Sequence, residues 1–479
     1  MGLFEQLFSW IGDATWGWAL VPFLVMIGGF FTLASGFVQI RFFKRMFGVL
    51  FASSEGLGEH VSSRAALLLS VGGRVGGGNV AGVAVAISLG GPGAVFWMWA
   101  IALVGMATSL FECSLAQLYK RTEPDGSYRG GPAQYILFGL GKDFRWLAVL
   151  YAICLIASFA LGFNAFQGNT VAGAVEEGFG VERFYTGLAF GAVTAVVVFG
   201  GIKWIAKVAD VVVPVMALLY IAMALVVILL NIASVPGVFY SIFAGAFGFE
   251  EAVAGGMGAA VANGLRRGLF SNEAGLGSAP NVAAIAYVRH PVSQGVAQSL
   301  SVFIDTMIIC TCTALVVLLS GVYEPGANVD GVVLTQTAFE TELGDWADSG
   351  LAVAIVLFAF SSIIYNYYLG ETGLTVFTDS PLARQVLRVC VIAIVFLGAT
   401  AERATSVFFF SDPMMGVLAV VNLLAILMLF PVGLRMVKDF RAQLRSGVEH
   451  PVLDPDAYAD LDIDRAAWPG DKPADTATS

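Results

Sequence analysis

The sequence predicts an all-α polytopic membrane protein. About eleven transmembrane helices are expected: one N-terminal helix plus a five-plus-five inverted repeat whose first and sixth repeat helices are discontinuous. Three observations carry this prediction. Of 479 residues, 58% are hydrophobic and only 13% charged, against about 25% charged in an ordinary soluble domain. Apolar runs of about 20 residues, enough to cross a bilayer as a helix, recur from end to end. Two of these runs are interrupted by glycine and asparagine, about 190 residues apart, the pattern that marks the binding site of a secondary transporter. A β-barrel would need ten-residue alternating segments, and these runs are continuous.

The predicted spans are 18–38, 64–89, 93–119, 146–174, 184–200, 205–231, 253–288, 294–321, 350–377, 385–402 and 412–434. The opening residues lack a basic region and a cleavage site and include Glu5 and Asp13, so no cleaved signal peptide is predicted. Lys and Arg set the orientation. Arg41, Lys44 and Arg45, then Lys120, Arg121, Arg129, Lys142 and Arg145, then Lys203, Lys207, Arg289, Arg384 and Arg435–Arg445 all fall on one side of eleven spans. The other side holds Glu176, Glu177 and Glu182 with only Arg183, and a 322–349 loop with acids but no Lys or Arg. This places the N-terminus outside and the C-terminus in the cytoplasm.

The expected divisions are an N-terminal segment and extra helix (1–40), a cytoplasmic loop (41–63), a first five-helix repeat (64–231), a second (232–440) and an acidic tail (441–479). The tail beyond about Ser446 is rich in Pro and Asp and is predicted to be disordered.

The first break reads Val71-Gly-Gly-Arg-Val-Gly-Gly-Gly-Asn-Val80. Each glycine costs a helix about 1 kcal/mol relative to alanine, and open backbone in lipid costs several more. It is tolerated where a ligand satisfies it. A half-helix N-terminus offers N–H groups to a carboxylate, and carbonyls before the break suit a cation. Close helix packing explains Gly82 and Gly105 well and this cluster poorly. In the second break, Arg267-Gly-Leu-Phe-Ser-Asn-Glu-Ala-Gly-Leu-Gly-Ser278, Ser271 and Asn272 are expected to cap a helix starting near Ala274. Glu273 then falls in the first turn, and Pro280 produces a kink.

Asn164 and Gln167 share one face of the 146–174 span, and Ser362, Tyr365 and Asn366 share one face of the 350–377 span, with Ser361 beside it. Within spans the ionisable residues are Arg74, Glu112, Arg266, Arg267, Glu273, Asp305 and Glu371. Such residues face the protein interior and pair. Arg74 has Glu112, Asp305 and Glu371 as candidate partners, and Asp210 is expected to pair with Lys207. The five cysteines have neither disulfide nor metal spacing. There is no P-loop, no hydrolase or oxidoreductase constellation, and His60, His290 and His450 all lie outside the spans. The net charge of -10 argues against nucleic acid as a partner.

At these residues the chain resembles the alanine or glycine:cation symporter family, over about residues 18–440. The resemblance is carried by residues 78–107, RGLFSNEAGLGSAP (267–280), FAFSSIIYNYYLGE (358–371) and NAFQGN (164–169). It implies a LeuT-type inverted-repeat fold and sodium-coupled uptake of small neutral amino acids across a prokaryotic inner membrane, with no enzymatic activity and no cofactor beyond the coupling ion. By that likeness the Gly77 and Gly78 amides receive the substrate carboxylate, and Gly76 belongs to the same substrate site. The carbonyls of Gly72, Val75 and Phe358 and the hydroxyls of Ser361 and Ser362 hold sodium, an all-oxygen set suited to a hard cation. Asn79 lines the substrate pocket or a second ion site. Phe270, Ser271, Asn272 and Gly275 line its other side, with Asn164 and Gln167 across from them and Tyr365 and Asn366 in the wall. Three positions depart from the family pattern: Gly77 stands where Thr is usual, Tyr365-Asn366 where Gly-Trp is usual, and Ser109 where Lys is common. Proton-coupled uptake, amino-acid exchange and an ion channel remain open alternatives.

Overall fold

The structure, a computed structural model, describes residues 3–49, 60–248, 256–324, 331–401 and 410–468. Among the described residues, eight helices are long and apolar enough to cross a membrane. In chain order the first is α1 (Gln6–Ala34). The first broken span follows as two half-helices, α2 (Ser63–Arg74) and α3 (Gly78–Gly90). Next come α4 (Gly93–Leu118), α5 (Lys142–Phe179), α6 (Arg183–Val198) and α7 (Gly201–Leu230). After α8 (Val235–Ala246) the second broken span forms α9 (Gly256–Asn272) and α10 (Ser278–Ala283). Then follow α11 (Pro291–Leu319), α12 (Gly331–Leu343), α13 (Trp346–Leu374), α14 (Pro381–Thr400), α15 (Ser411–Met428) and α16 (Phe430–Arg445).

Eight of the predicted spans overlap the eight long helices, and the others overlap the shorter α6 and the two interrupted segments. The broken spans sit in the interior, α9 against α4 and α3, α2 against α7, α11 and α13. Their neighbours approach closely through small residues, as membrane helices do. On α14, for example, a Cβ at Gly398 would come within 2.0 Å of the Ala165 carbonyl oxygen of α5.

Among the described residues, two helices of more than ten residues lie where connections were expected. One is α8; the other is α12, inside the predicted 322–349 loop, of which 325–330 lies outside the described residues. α12 is short and mixed in polarity, so no hydropathy window singles it out. Its Leu334, Ala338 and Phe339 are buried, and it packs on the first turn of α3, where the Thr335 hydroxyl donates to the Val80 carbonyl at 3.0 Å. Glycine is required at its start, because a Cβ on Gly331 would meet the Ala81 carbonyl oxygen at 2.3 Å.

The tail corrects a second expectation. Residues 441–445 complete α16, and the chain from there to Trp468 is packed rather than disordered; 469–479 lies outside the described residues. Average composition hid four spaced anchors, Leu453, Tyr458, Ala467 and Trp468, all buried. It also hid aspartates that pair with basic residues of the bundle. These contacts are made at the end that carries Arg121, Arg129, Arg289 and Arg435, called the basic end below. There a two-stranded hairpin, β1 (Arg121–Thr122) and β2 (Tyr128–Arg129), joins α4 to the segment before α5, with Arg121 opposite Arg129.

Asp210 does not pair with Lys207. Its carboxylate meets Arg64 at 2.9 Å, tying α7 to the first turn of α2. Lys207 sits over the Trp204 ring of its own helix instead.

Candidate substrate and ion site

The first break is built by its glycines and one asparagine. α2 stops at Arg74, Val75 turns extended (φ -74, ψ 106), and α3 starts at Gly78. The Asn79 side chain holds the break open, since its Oδ1 accepts the Gly76 N–H at 2.9 Å. Its Nδ2 reaches outward, donating to Asp305 Oδ1 at 2.7 Å and to the Ser271 hydroxyl at 3.1 Å. One side chain thus couples the first break to the second and to α11.

The second break differs from the sequence expectation. α9 continues through Asn272, and Glu273 takes a left-handed conformation at φ 52. Gly275 and Gly277 follow at φ 84 and 87, and the helix resumes only at Ser278. Asn272 caps a tight turn, its Oδ1 accepting the Ala274 N–H at 3.0 Å, so Glu273 is not in a helical first turn. Pro280 falls in the first turn of α10, where its missing N–H has no intrahelical partner to lose, and it needs no kink. The two later glycines supply the positive φ that moved the helix start.

Four of the five expected sodium-binding residues converge between α2 and α13. The Ser361 hydroxyl donates to the Gly72 carbonyl at 2.8 Å and to Phe358 O at 2.9 Å, and Ser362 reaches Gly72 O at 3.3 Å and Gly73 O at 3.4 Å. Three carbonyls and two hydroxyls gathered this tightly, in a buried place, form the kind of oxygen set a hard monovalent cation takes. Val75, at the extended residue of the break, is buried one turn on.

Beside this cluster lies a cavity of about 20 Å³, room for little more than one water molecule. It is lined by Gly76, Gly77, Gly78, Gln167, Phe270 and Asn366, all expected from the sequence, and by Gly73, Arg74, Phe163, Phe166 and Glu273, which were not assigned to the pocket. The Gly77 and Gly78 backbone is flanked by rings: a Cβ would lie 3.0 Å from Phe166 at the first and 3.5 Å from Phe270 at the second. The threonine usual at position 77 would therefore strike Phe166. The same rings line a larger vestibule of about 140 Å³, with Arg267 and Asp412 among its walls.

Several expected residues lie elsewhere. Asn164 donates to Ala160 O of its own helix at 3.0 Å, and only Gln167 of that pair lines the cavity. Gly275 gives its N–H to Glu112 and its carbonyl to Asn422, behind the break. Ser271, Asn272 and Asn79 act in the hydrogen bonds above rather than as cavity lining. The Tyr365 ring packs on Gly73 and its hydroxyl donates to Glu273 at 3.3 Å, and of the Tyr365-Asn366 pair only Asn366 lines the cavity.

Arg74 pairs with none of its three candidate carboxylates. Its guanidinium donates to Ser301 and, at 3.5 Å, to Ser109. That explains the Ser109 departure: the lysine common there would set a second cation against Arg74. Glu371 pairs instead with Arg129 at 3.6 Å and accepts from Tyr367. Glu112, Glu273 and Asp305 are all buried around Arg74, whose charge acts on all three.

A helical membrane bundle with two broken helices meeting at one small cavity, flanked by an oxygen cage, defines a secondary transporter of the inverted-repeat type. The bundle is similar to the solved structure of MhsT in complex with L-phenylalanine, at a TM-score of 0.55 and 13% identity over 78% of this chain and 97% of that one; this likeness concerns the fold. Residues 1–455 match the profile of the sodium:alanine symporter family. The chain is 45% identical to the amino-acid carrier protein AlsT of Bacillus subtilis (strain 168), over 93% of this chain and 94% of that protein. It is 42% identical to the probable sodium/glutamine symporter GlnT of the same organism, over 96% and 94%. The chain belongs to the sodium:alanine symporter family; it is a multi-pass membrane transporter and not an enzyme.

Proposed function

We propose that the protein imports a small neutral amino acid together with sodium by alternating access. The observation that carries this reading is the continuity of the two sites. Gly72, which contributes to the oxygen cage, and Gly76–Gly78, which line the cavity, belong to one interrupted helix. Sodium between α2 and α13 draws these helices together and so shapes the cavity next to it. The substrate carboxylate meets the N–H groups at the start of α3, where the helix dipole favours an anion. Gln167 and Asn366 face the remainder of the substrate. The vestibule is the route in, and Phe163, Phe166 and Phe270, which border both spaces, form the gate between them.

The Lys/Arg bias puts the basic end in the cytoplasm and the N-terminus outside. Residues 64–231 and 232–440 are the two inverted repeats. One sodium ion moving through about 100 mV supplies about 2.3 kcal/mol, and a tenfold gradient adds about 1.4 kcal/mol. Together they support roughly 500-fold accumulation of a zwitterion. The test is uptake of labelled alanine into proteoliposomes with sodium replaced by choline at fixed pH. Undiminished uptake removes sodium from the reading, and the absence of saturable counterflow removes the carrier.

A second reading, proton coupling, is favoured by the three carboxyls that share Arg74. Asp305 Oδ2 meets only hydroxyls, Ser271 and Thr306, each at 2.8 Å. Hydroxyls accept as readily as they donate, so this oxygen holds a proton without losing a partner. Glu112 instead receives a backbone N–H and an amide N–H, neither of which can reverse. Substrate-driven proton movement in sodium-free vesicles, lost in Asp305→Asn, would establish this reading over the first.

A further inference from the structure

We propose that the tail segment 449–468 is a latch that fastens the basic end shut over the start of α2, and that opening toward the cytoplasm requires its release. The inference rests on the transport reading for its direction, but not for its geometry.

The N-terminal end of α2 is held by the segment that follows α10. Val61 pairs with Ala286 in a parallel bridge, and the Tyr287 N–H donates to Val61 O at 2.9 Å. Just before it, the His60 ring stacks between Tyr287 and Tyr128 of the hairpin, at 5.3 and 5.2 Å between centroids. Three separate stretches therefore meet at the point where a half-helix would swing away.

The tail closes over this point. Lys120 is fully buried, with its ammonium 4.0 Å from the Tyr128 ring on one side and 4.5 Å from the Trp468 ring on the other. The same ammonium donates to the Ala286 carbonyl at 3.1 Å. One cation thus joins the hairpin, the segment pairing with Val61, and the last described residue of the tail. Upstream the tail is tacked down at intervals. Asp464 accepts the Thr122 N–H at 2.8 Å, Asp462 pairs with Arg121 at 2.9 Å, and Asp460 pairs with Arg435 at 2.9 Å. Leu453 N–H donates to Arg289 O at 2.9 Å, and Gln443 of α16 exchanges two hydrogen bonds with Val452.

The strap therefore runs from the end of α16, past the segment 286–290, to the hairpin. It bridges elements that must part if α2 is to move. Its ion pairs are partly exposed and individually weak, which suits a fastening that opens in every cycle. Its apolar anchors return it to one place.

The test uses the full-length protein in inside-out membrane vesicles. The exposed Cys390 is replaced by serine, and Ser70→Cys on the buried face of α2 serves as reporter. The readout is the rate of modification by a membrane-impermeant maleimide. Trp468→Ala is expected to raise that rate about 5- to 30-fold, the factor to which losing one desolvated cation–aromatic contact converts. Ending the chain at Ser446 is expected to raise it at least as much. Thermal unfolding of each variant distinguishes release of the latch, which leaves the main transition in place, from loss of the fold. Unchanged modification in a folded Trp468→Ala protein and in a folded truncation overturns the proposal. Because labelling needs no substrate, failure of the amino-acid reading would show in uptake alone.

Discussion

A methyl group placed at Gly73 should disable the sodium site without touching any of its oxygens. Gly73 lies on α2 face to face with Tyr365 of α13, and a Cβ there would sit 2.3 Å from ring atoms Cγ and Cδ1 and 2.6 Å from Cδ2. Carbon atoms settle at about 3.5–4.0 Å, so backbone and ring must separate by at least about 1.2 Å. The ring has nowhere to turn: Tyr365 is fully buried and its hydroxyl is bound to Glu273. The separation therefore falls on the distance between α2 and α13. The hydrogen bond from Ser361 to Gly72 O, at 2.8 Å, is made across the same contact one residue away. Lengthened by that amount it is no longer a hydrogen bond. Overpacking of this kind costs about 1–3 kcal/mol. If most of it opposes the sodium-bound state, half-saturation by sodium rises roughly 5- to 140-fold. The assay is the sodium dependence of labelled-alanine uptake into proteoliposomes. Tyr365→Leu in the Gly73→Ala background should restore much of the affinity, while Gly237→Ala, with nothing within 4 Å of the new methyl, should behave as the parent. Gly73→Ala protein with unaltered sodium half-saturation would refute the reasoning.

Three further outcomes follow from the geometry. Ser361→Ala removes one hydroxyl of the cage and should raise the sodium half-saturation roughly 12- to 140-fold, since hydrogen bonds to charged groups are worth about 1.5–3 kcal/mol; an unchanged value would place the ion elsewhere. Asn366→Trp fills the small cavity that Asn366 lines, so uptake should survive for glycine and fall for larger amino acids in a competition panel; an unchanged size cutoff would remove Asn366 from the pocket. At the basic end, burial holds the His290 imidazole below its ordinary pKa against the opposing pull of Asp439. Its Nδ1 accepts the Val292 N–H at 3.2 Å, a bond that protonation breaks. A histidine with a lowered folded pKa contributes stability above its unfolded pKa of about 6.5, lost as pH falls through that value toward the folded one. Thermal stability in detergent should therefore drop between about pH 7.5 and 5.5, and less so in His290→Asn.

The membrane class, the approximate places of the long spans and both breaks are legible in the sequence, because these rest on local quantities. Apolar length, glycine clusters and motif spacing do not depend on what lies across the bundle. The family resemblance named Gly72, Gly76–Gly78, Gln167, Phe358, Ser361, Ser362 and Asn366 together, and the structure gathers them around the first break. Which way each polar side chain turns is set by packing across the bundle, which no local pattern carries. Asn164 lies one turn from Gln167 yet satisfies its own helix. Tyr365 adjoins Asn366 but points at Gly73. Arg74 chooses serines over three carboxylates, which also gives Ser109 its meaning. The second break starts its helix later than capping residues suggest, because glycines at positive φ extend the turn. Above all, the acidic tail has the composition of a disordered segment and the contacts of a folded one. Its order comes from Lys120, Arg121, Arg289 and Arg435, partners that are distant along the chain and that folding alone brings together.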